Sequence, residues 1–157
     1  EKMNTNCVLY GIRSDGIHSN GYTLVRKILK SCKPNRLNEF GLTISDILRP
    51  TRIYMELLEL IKEAKHLYGI AHITGGGFSD NLIRILPKHL TYKITNQWEF
   101  PEIFKWIQLN SKMTDSEMMR TFNCGIGIVL VLEKTEQLPE LVNKYNLVKI
   151  GELESNL

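Results

Sequence analysis

The stretch that decides the fold runs from Cys7-Val8-Leu9-Tyr10, closed by Gly11, through Gly16-Ile17-His18-Ser19-Asn20-Gly21 to Tyr22, Val25, Ile28 and Leu29. The apolar run 7–10 reads as a strand, and beyond Gly21 the apolar positions fall at helical spacing. Between them lies a loop of glycines, a histidine and small polar side chains, with Ser19 or Asn20 placed to cap the helix. Pro34 stops that helix, which the pattern ends near residue 31. The same order recurs downstream: an apolar run at 70–73, His72-Ile73-Thr74-Gly75-Gly76-Gly77, and a helical pattern over 79–86 stopped by Pro87. Glycine loops of this kind leave backbone N–H groups uncommitted at a helix start, and the helix dipole favours negative charge there. Two such loops, each with a titratable ring, point to an anionic ligand.

Outward from these loops the chain continues to alternate. Residues 33–42 read as a polar loop, 44–48 as a short helical turn, and the segment after Pro50 as a long amphipathic helix with Ile53, Leu57, Leu60, Ile61 and Ala64 on its core stripe. Further strands are expected at 91–94, 123–132 and 148–150, with helices at 101–109, 114–119 and 137–145. Gly125 and Gly127 interrupt the longest apolar run, where glycine serves a bulge or a close backbone approach. The pattern implies one α+β domain over residues 1–157, a layered mixed β-sheet with flanking helices.

Composition limits the function. At 157 residues, 43% hydrophobic, the chain can bury roughly 70% of its unfolded surface in one core. A net charge of +3 is too weak to imply nucleic-acid binding, and the basic set Arg26, Lys27, Lys30, Lys33 and Arg36 reads as a solvated helix face. No apolar run reaches the roughly 18 residues of a membrane span. Cys7, Cys32 and Cys124 are odd in number and widely spaced, which favours reduced, buried thiols and a cytoplasmic setting. Glu1 in the first position leads us to expect a piece of a longer protein or a processed one.

Several site types fail on spacing. The triple glycine lacks the Gly-Lys-Ser/Thr ending of a P-loop, and Gly125 and Gly127 precede a strand rather than a helix, against a dinucleotide fingerprint. His18, His66, His72 and His89 form no metal-ligand pair, so no metal site is expected from these residues. Ser19, His72 and Asp80 lack the nucleophile elbow of a hydrolase triad. Phosphate or amide chemistry remains. Ser14, Gly16, Ser19 and Asn20 in the first loop, and His72, Thr74, Gly75, Gly76 and Gly77 in the second, are the candidate binding residues. His18 is the candidate catalytic group, and Arg120 and Asn123 belong to a third polar cluster for which helix capping and an ion pair with Glu117 are the simpler account.

These segments also carry a family resemblance. His18-Ser19-Asn20-Gly21-Tyr22 with Leu24, Val25, Arg26 and Lys27, then Pro50-Thr51-Arg52-Ile53-Tyr54, then Ala71 to Phe78 with Asn81, Arg84, Leu86 and Pro87, and finally Glu117, Met118, Arg120 to Asn123 and Gly125 to Gly127, resemble in order and spacing the motifs of aminoimidazole ribonucleotide synthetases. These enzymes are also called phosphoribosylformylglycinamidine cyclo-ligases. The resemblance covers their C-terminal domain only. Arg13 and Asp15 depart from the family pattern, and a carboxylate at position 15 repels an anion unless a cation neutralises it.

The resemblance implies an ATP-dependent step of de novo purine biosynthesis. Formylglycinamidine ribonucleotide and ATP become aminoimidazole ribonucleotide, ADP and phosphate, with ATP activating the formyl oxygen before an amidine nitrogen closes the ring. It further implies ATP and Mg2+ bound mainly by an N-terminal domain with no counterpart in this sequence, a phosphorylated small-molecule substrate, and a homodimer of the complete enzyme. Related synthetases and kinases of the superfamily (formylglycinamidine ribonucleotide synthetase, selenophosphate synthetase, thiamine phosphate kinase, the hydrogenase maturation type) are the alternative, as is a noncatalytic phosphometabolite-binding domain. His18 is then expected to assist phosphoryl or proton transfer.

Overall fold

In a computed structural model, which describes residues 3–31, 35–95 and 98–156, five strands form one sheet in the order β2-β4-β1-β5-β3. The strands are β1 (Cys7–Arg13), β2 (Leu67–His72), β3 (Leu90–Ile94), β4 (Ile126–Glu133) and β5 (Val148–Ser155). The α+β class and the layering are as expected. The pairing is not mixed, however: all four junctions are antiparallel, because each long connection returns a strand against its neighbour's direction rather than alongside it.

Strand β4 is buried along Ile126–Leu132, and the sheet is covered on both sides. One core takes Leu9, Val129, Val131 and Ile150 of the sheet with Val25, Phe78, Phe104, Ile107 and Met118 from the helices. Those helices are α1 (Tyr22–Ser31), α5 (Gly77–Ile83), α6 (Glu102–Ser111) and α7 (Asp115–Thr121). The other core sets Val8, Ile12, Ile128, Leu130 and Leu132 against Leu60 of α4 (Glu56–Glu63) and Leu138 and Leu141 of α8 (Leu138–Lys144). Residues two apart on a strand face the same way, so alternate members of β4 feed opposite cores. Two short helices, α2 (Asn35–Asn38) and α3 (Ile44–Ile47), lie between α1 and α4.

The alternation breaks at Gly127. Ile12 pairs with Ile128 and Arg13 with Ile126, so Gly127 is an extra residue in β4 and the strand bulges there. Ile126 thereby joins the same core as Val129.

The helix expected directly after Pro50 starts only at Glu56. Ile53 therefore lies outside the helical period and is 80% exposed, and Ile61 at the edge of the core stripe is also exposed, while Leu60 and Ala64 are buried and Leu57 half-buried. Met55, Leu58 and Ile61, spaced three apart, form a second, solvent-facing apolar stripe.

Cys7 and Cys124 are free and buried; Cys32, Lys33 and Pro34 lie outside the described residues, as does the side chain of Arg36. Arg26, Lys27 and Lys30 are exposed, the solvated face expected of them. Among the described residues no helix is long and apolar enough to cross a membrane.

Candidate functional site

Because β1 and β2 both run antiparallel to β4, their C-terminal ends flank its N-terminal end. The topology thus gathers three loops at one end of the sheet: 14–21 after β1, 73–76 after β2, and 122–125 before β4. Two backbone bonds pin the junction, Ser14 N–H to the Gly125 carbonyl at 2.9 Å and Ile73 N–H to the Gly127 carbonyl at 2.8 Å.

Asparagine side chains hold the loops together. Asn123 is buried; its Nδ2 donates to the Gly16 carbonyl, while its Oδ1 accepts from Gly125 N–H and the Ser14 hydroxyl, each at 2.8 Å. Asn20 Nδ2 donates to the carbonyls of Thr74 (3.3 Å) and Thr121, joining all three loops rather than capping α1. Asn81, also buried, donates to the carbonyls of Gly75 (3.2 Å) and Gly77 (2.7 Å) and shapes the triple-glycine loop from within.

This sorts the sequence candidates. Ser14, Gly16, Asn20 and Asn123 are engaged inside the fold, and Gly77 is buried against α7. A β-carbon on Gly77 would stand 2.0 Å from the Met119 carbonyl oxygen, at a φ of 58°. Ser19, His72, Gly75 and Arg120 are exposed, and Thr74 and Gly76 are half-buried. Glu117 closes a capping box with Thr114 at the start of α7.

His18 sits at the centre, 5% exposed, in the left-handed conformation at φ 55°. Its Nε2 accepts from two backbone N–H groups, those of Asp15 (3.3 Å) and Arg52 (3.4 Å). A nitrogen receiving N–H groups carries no proton, so the neutral ring bears its hydrogen on Nδ1. Burial holds the His18 pKa below its ordinary value, His72 and Arg52 add to that, and the Asp15 carboxylate opposes it. The ring is therefore a neutral donor at physiological pH, with its basic lone pair already occupied.

The segment 50–54 straps this histidine in place. Arg52 offers its backbone N–H to His18, sends its guanidinium to the Arg13 carbonyl at 2.8 Å, pairs with Glu56, and lies 5.2 Å from the Tyr54 ring centre. Tyr54, His18 and His72 form a triangle of edge-on rings with centroids 6.0 to 6.4 Å apart. Sequence reasoning gave no role to Arg52, Tyr54 or Asn81, but the bulge and close approach expected at Gly127 are both found there.

The three loops and the adjoining end of α7 thus carry exposed Ser19, His72 and Arg120 beside loop N–H groups, while the Thr74 hydroxyl donates to Asn81 Oδ1 at 3.3 Å. Such a set suits oxygen acceptors. Among the described residues no group of three or more His, Cys, Asp or Glu side chains is placed to hold a metal ion.

Residues 4–156 match the family model described as AIR synthase related protein, C-terminal domain. The chain belongs to this family. Its relatives include proteins named phosphoribosylformylglycinamidine cyclo-ligase. One from Cupriavidus pinatubonensis is 43% identical over 132 residues, covering 82% of this chain and 38% of the relative. One from Methanococcus vannielii is 43% identical over 159 residues, covering 96% of this chain and 45% of the relative. One from Methylobacillus flagellatus is 43% identical over 128 residues, covering 80% and 37%. The chain thus spans less than half the length of these curated relatives.

Proposed function

We propose that this family member forms one wall of the active site of an ATP-dependent cyclo-ligase that makes aminoimidazole ribonucleotide from formylglycinamidine ribonucleotide. The observation that carries the reading is the convergence of the two histidine and glycine loops beside the end of β4, bolted together by Asn20 and Asn123. The names and sequence similarity of the relatives support it.

In this reading the site holds the phosphorylated substrate through Ser19, Thr74, Arg120 and the exposed N–H groups around Gly75 and Gly76. His18 stabilises charge on a reacting oxygen through Nδ1–H rather than removing a proton, because its Nε2 lone pair is committed. ATP supplies the phosphoryl group that makes the formyl oxygen a leaving group, and Mg2+ neutralises the phosphates. The donor set here fits the anionic oxygens and not the cation, so metal ligands and most ATP contacts belong to a further domain of the complete protein, which works as a cytoplasmic homodimer.

The test is ring closure measured with the complete protein and with this chain alone. We expect ATP-dependent product only from the complete protein, and a loss of about a hundredfold in turnover for His18→Ala. Turnover unaltered by His18→Ala would remove the histidine from the chemistry. Failure of the complete protein to close the ring would overturn the assignment itself.

A further inference from the structure

Buried polar side-chain atoms are nearly always hydrogen-bonded, so exceptions call for an explanation; Trp106 Nε1 and Tyr145 Oη stand apart, whereas two others are neighbours. His18 Nδ1 and Tyr54 Oη are both buried without a partner inside the protein, and they belong to the same ring cluster. Both side chains border Gly127. A β-carbon built on Gly127 would lie 1.7 Å from Tyr54 Oη and 3.0 Å from His18 Cε1, the ring carbon between the two nitrogens.

Nδ1 carries the proton, as the two N–H groups on Nε2 require, so it seeks an acceptor. The Tyr54 phenol stays protonated, pushed further that way chiefly by burial, and it too can donate. A single oxygen between them satisfies both. The third ring of the cluster, His72, is exposed and lies 6.2 Å from Tyr54 and 6.4 Å from His18, which places the pair directly behind the ligand-facing rim. The same face carries the glycine-loop N–H groups, and Arg52 lies over the Tyr54 ring, so the surroundings favour an anionic oxygen.

We propose that Tyr54 is a ligand-binding residue, and that its hydroxyl and His18 Nδ1–H together form a two-donor subsite for one phosphoryl oxygen. The oxygen belongs to a phosphate ester or to free phosphate, two sources with the same acceptor chemistry. The place of the subsite in the reaction rests on the proposed cyclo-ligase function; the binding itself does not.

The experiment is NMR of this chain with 15N-labelled histidine and 13C-labelled tyrosine, titrated with inorganic phosphate and, separately, with ribose 5-phosphate. Saturation should move the His18 Nδ1 and Tyr54 Cζ resonances with one common midpoint, and the probe with the lower midpoint names the source. Tyr54→Phe should weaken binding by about tenfold or more, as loss of a hydrogen bond to a charged group does, whereas Tyr68→Phe, at the opposite end of β2 where the hydroxyl donates to Glu133, should leave it unchanged. Phosphate that leaves both resonances still, or that binds Tyr54→Phe as it binds the parent, overturns the proposal. Should Tyr54→Phe fail to fold, the common midpoint in the parent protein decides alone. Phosphate binding that survives a failed ring-closure assay would keep the subsite and discard the enzyme.

Discussion

The hydroxyl of Tyr54 lies over the α-carbon of Gly127, so close that a β-carbon there would stand 1.7 Å from the oxygen and 2.8 Å from Cζ. Gly127→Ala must therefore push the tyrosine out of the ring cluster. We expect it to cost about 1–3 kcal/mol in urea unfolding and to recover part of that loss when combined with Tyr54→Phe. Equal stability of the single and double variants would contradict the close approach.

Asn123 joins Gly16, Gly125 and Ser14 from a buried position. Asn123→Ala leaves those groups without partners, at an expected cost of about 2–4 kcal/mol. Denaturant midpoints measure it. A change near zero would return Asn123 to the ligand-facing set expected from the sequence.

The triple glycine is not uniform. Gly77→Ala meets the Met119 carbonyl at 2.0 Å in a left-handed conformation, whereas a β-carbon on Gly75 comes no closer than 3.5 Å to Asn20 Oδ1. The first should destabilise by about 3 kcal/mol or more and the second by no more than about 0.5 kcal/mol. Thermal melts of both variants decide; similar losses would refute the distinction.

Burial, reinforced by His72, keeps the folded-state pKa of His18 below its ordinary value near 6.5. The unfolded chain consequently takes up this proton first as pH falls, so His18 contributes its full stability above about pH 6.5 and loses it as pH drops through that value toward the folded-state pKa. His18→Asn, which tolerates the left-handed backbone, should flatten the fall in unfolding free energy between about pH 7 and pH 5. An unchanged slope would place the titration elsewhere.

Leu58 is 57% exposed on the outer stripe of α4. Leu58→Glu should alter stability by about 0.5 kcal/mol or less, read from the melting temperature. A large loss would contradict the solvent-facing placement of this stripe.

Much of the fold was legible because periodicity reports burial. Cys7 to Tyr10 and residues 123–132 read as strands, the second starting in the structure at Ile126, and Leu60 and Ala64 read as core. Ile53 misled because its spacing fits a helix that begins only at Glu56, and spacing alone does not show where a chain starts to coil. The direction of strand pairing was equally invisible, since it depends on how connections return across the sheet. For the site, the sequence located the loops but not the division of labour within them. Asn20 and Asn123 look like ligand donors until their partners across more than a hundred residues are known. Tyr54 falls in the segment read as helix until its seat against Gly127 is known.

The asparagine bolts bear on binding entropy. Loops 14–21, 73–76 and 122–125 are fixed by side-chain amides before any ligand arrives, so association need not order them. Each loop side chain immobilised on binding typically costs about 0.5–1.5 kcal/mol. Here much of that cost is met during folding, and an anion meeting this end of the sheet can keep most of the free energy its contacts release.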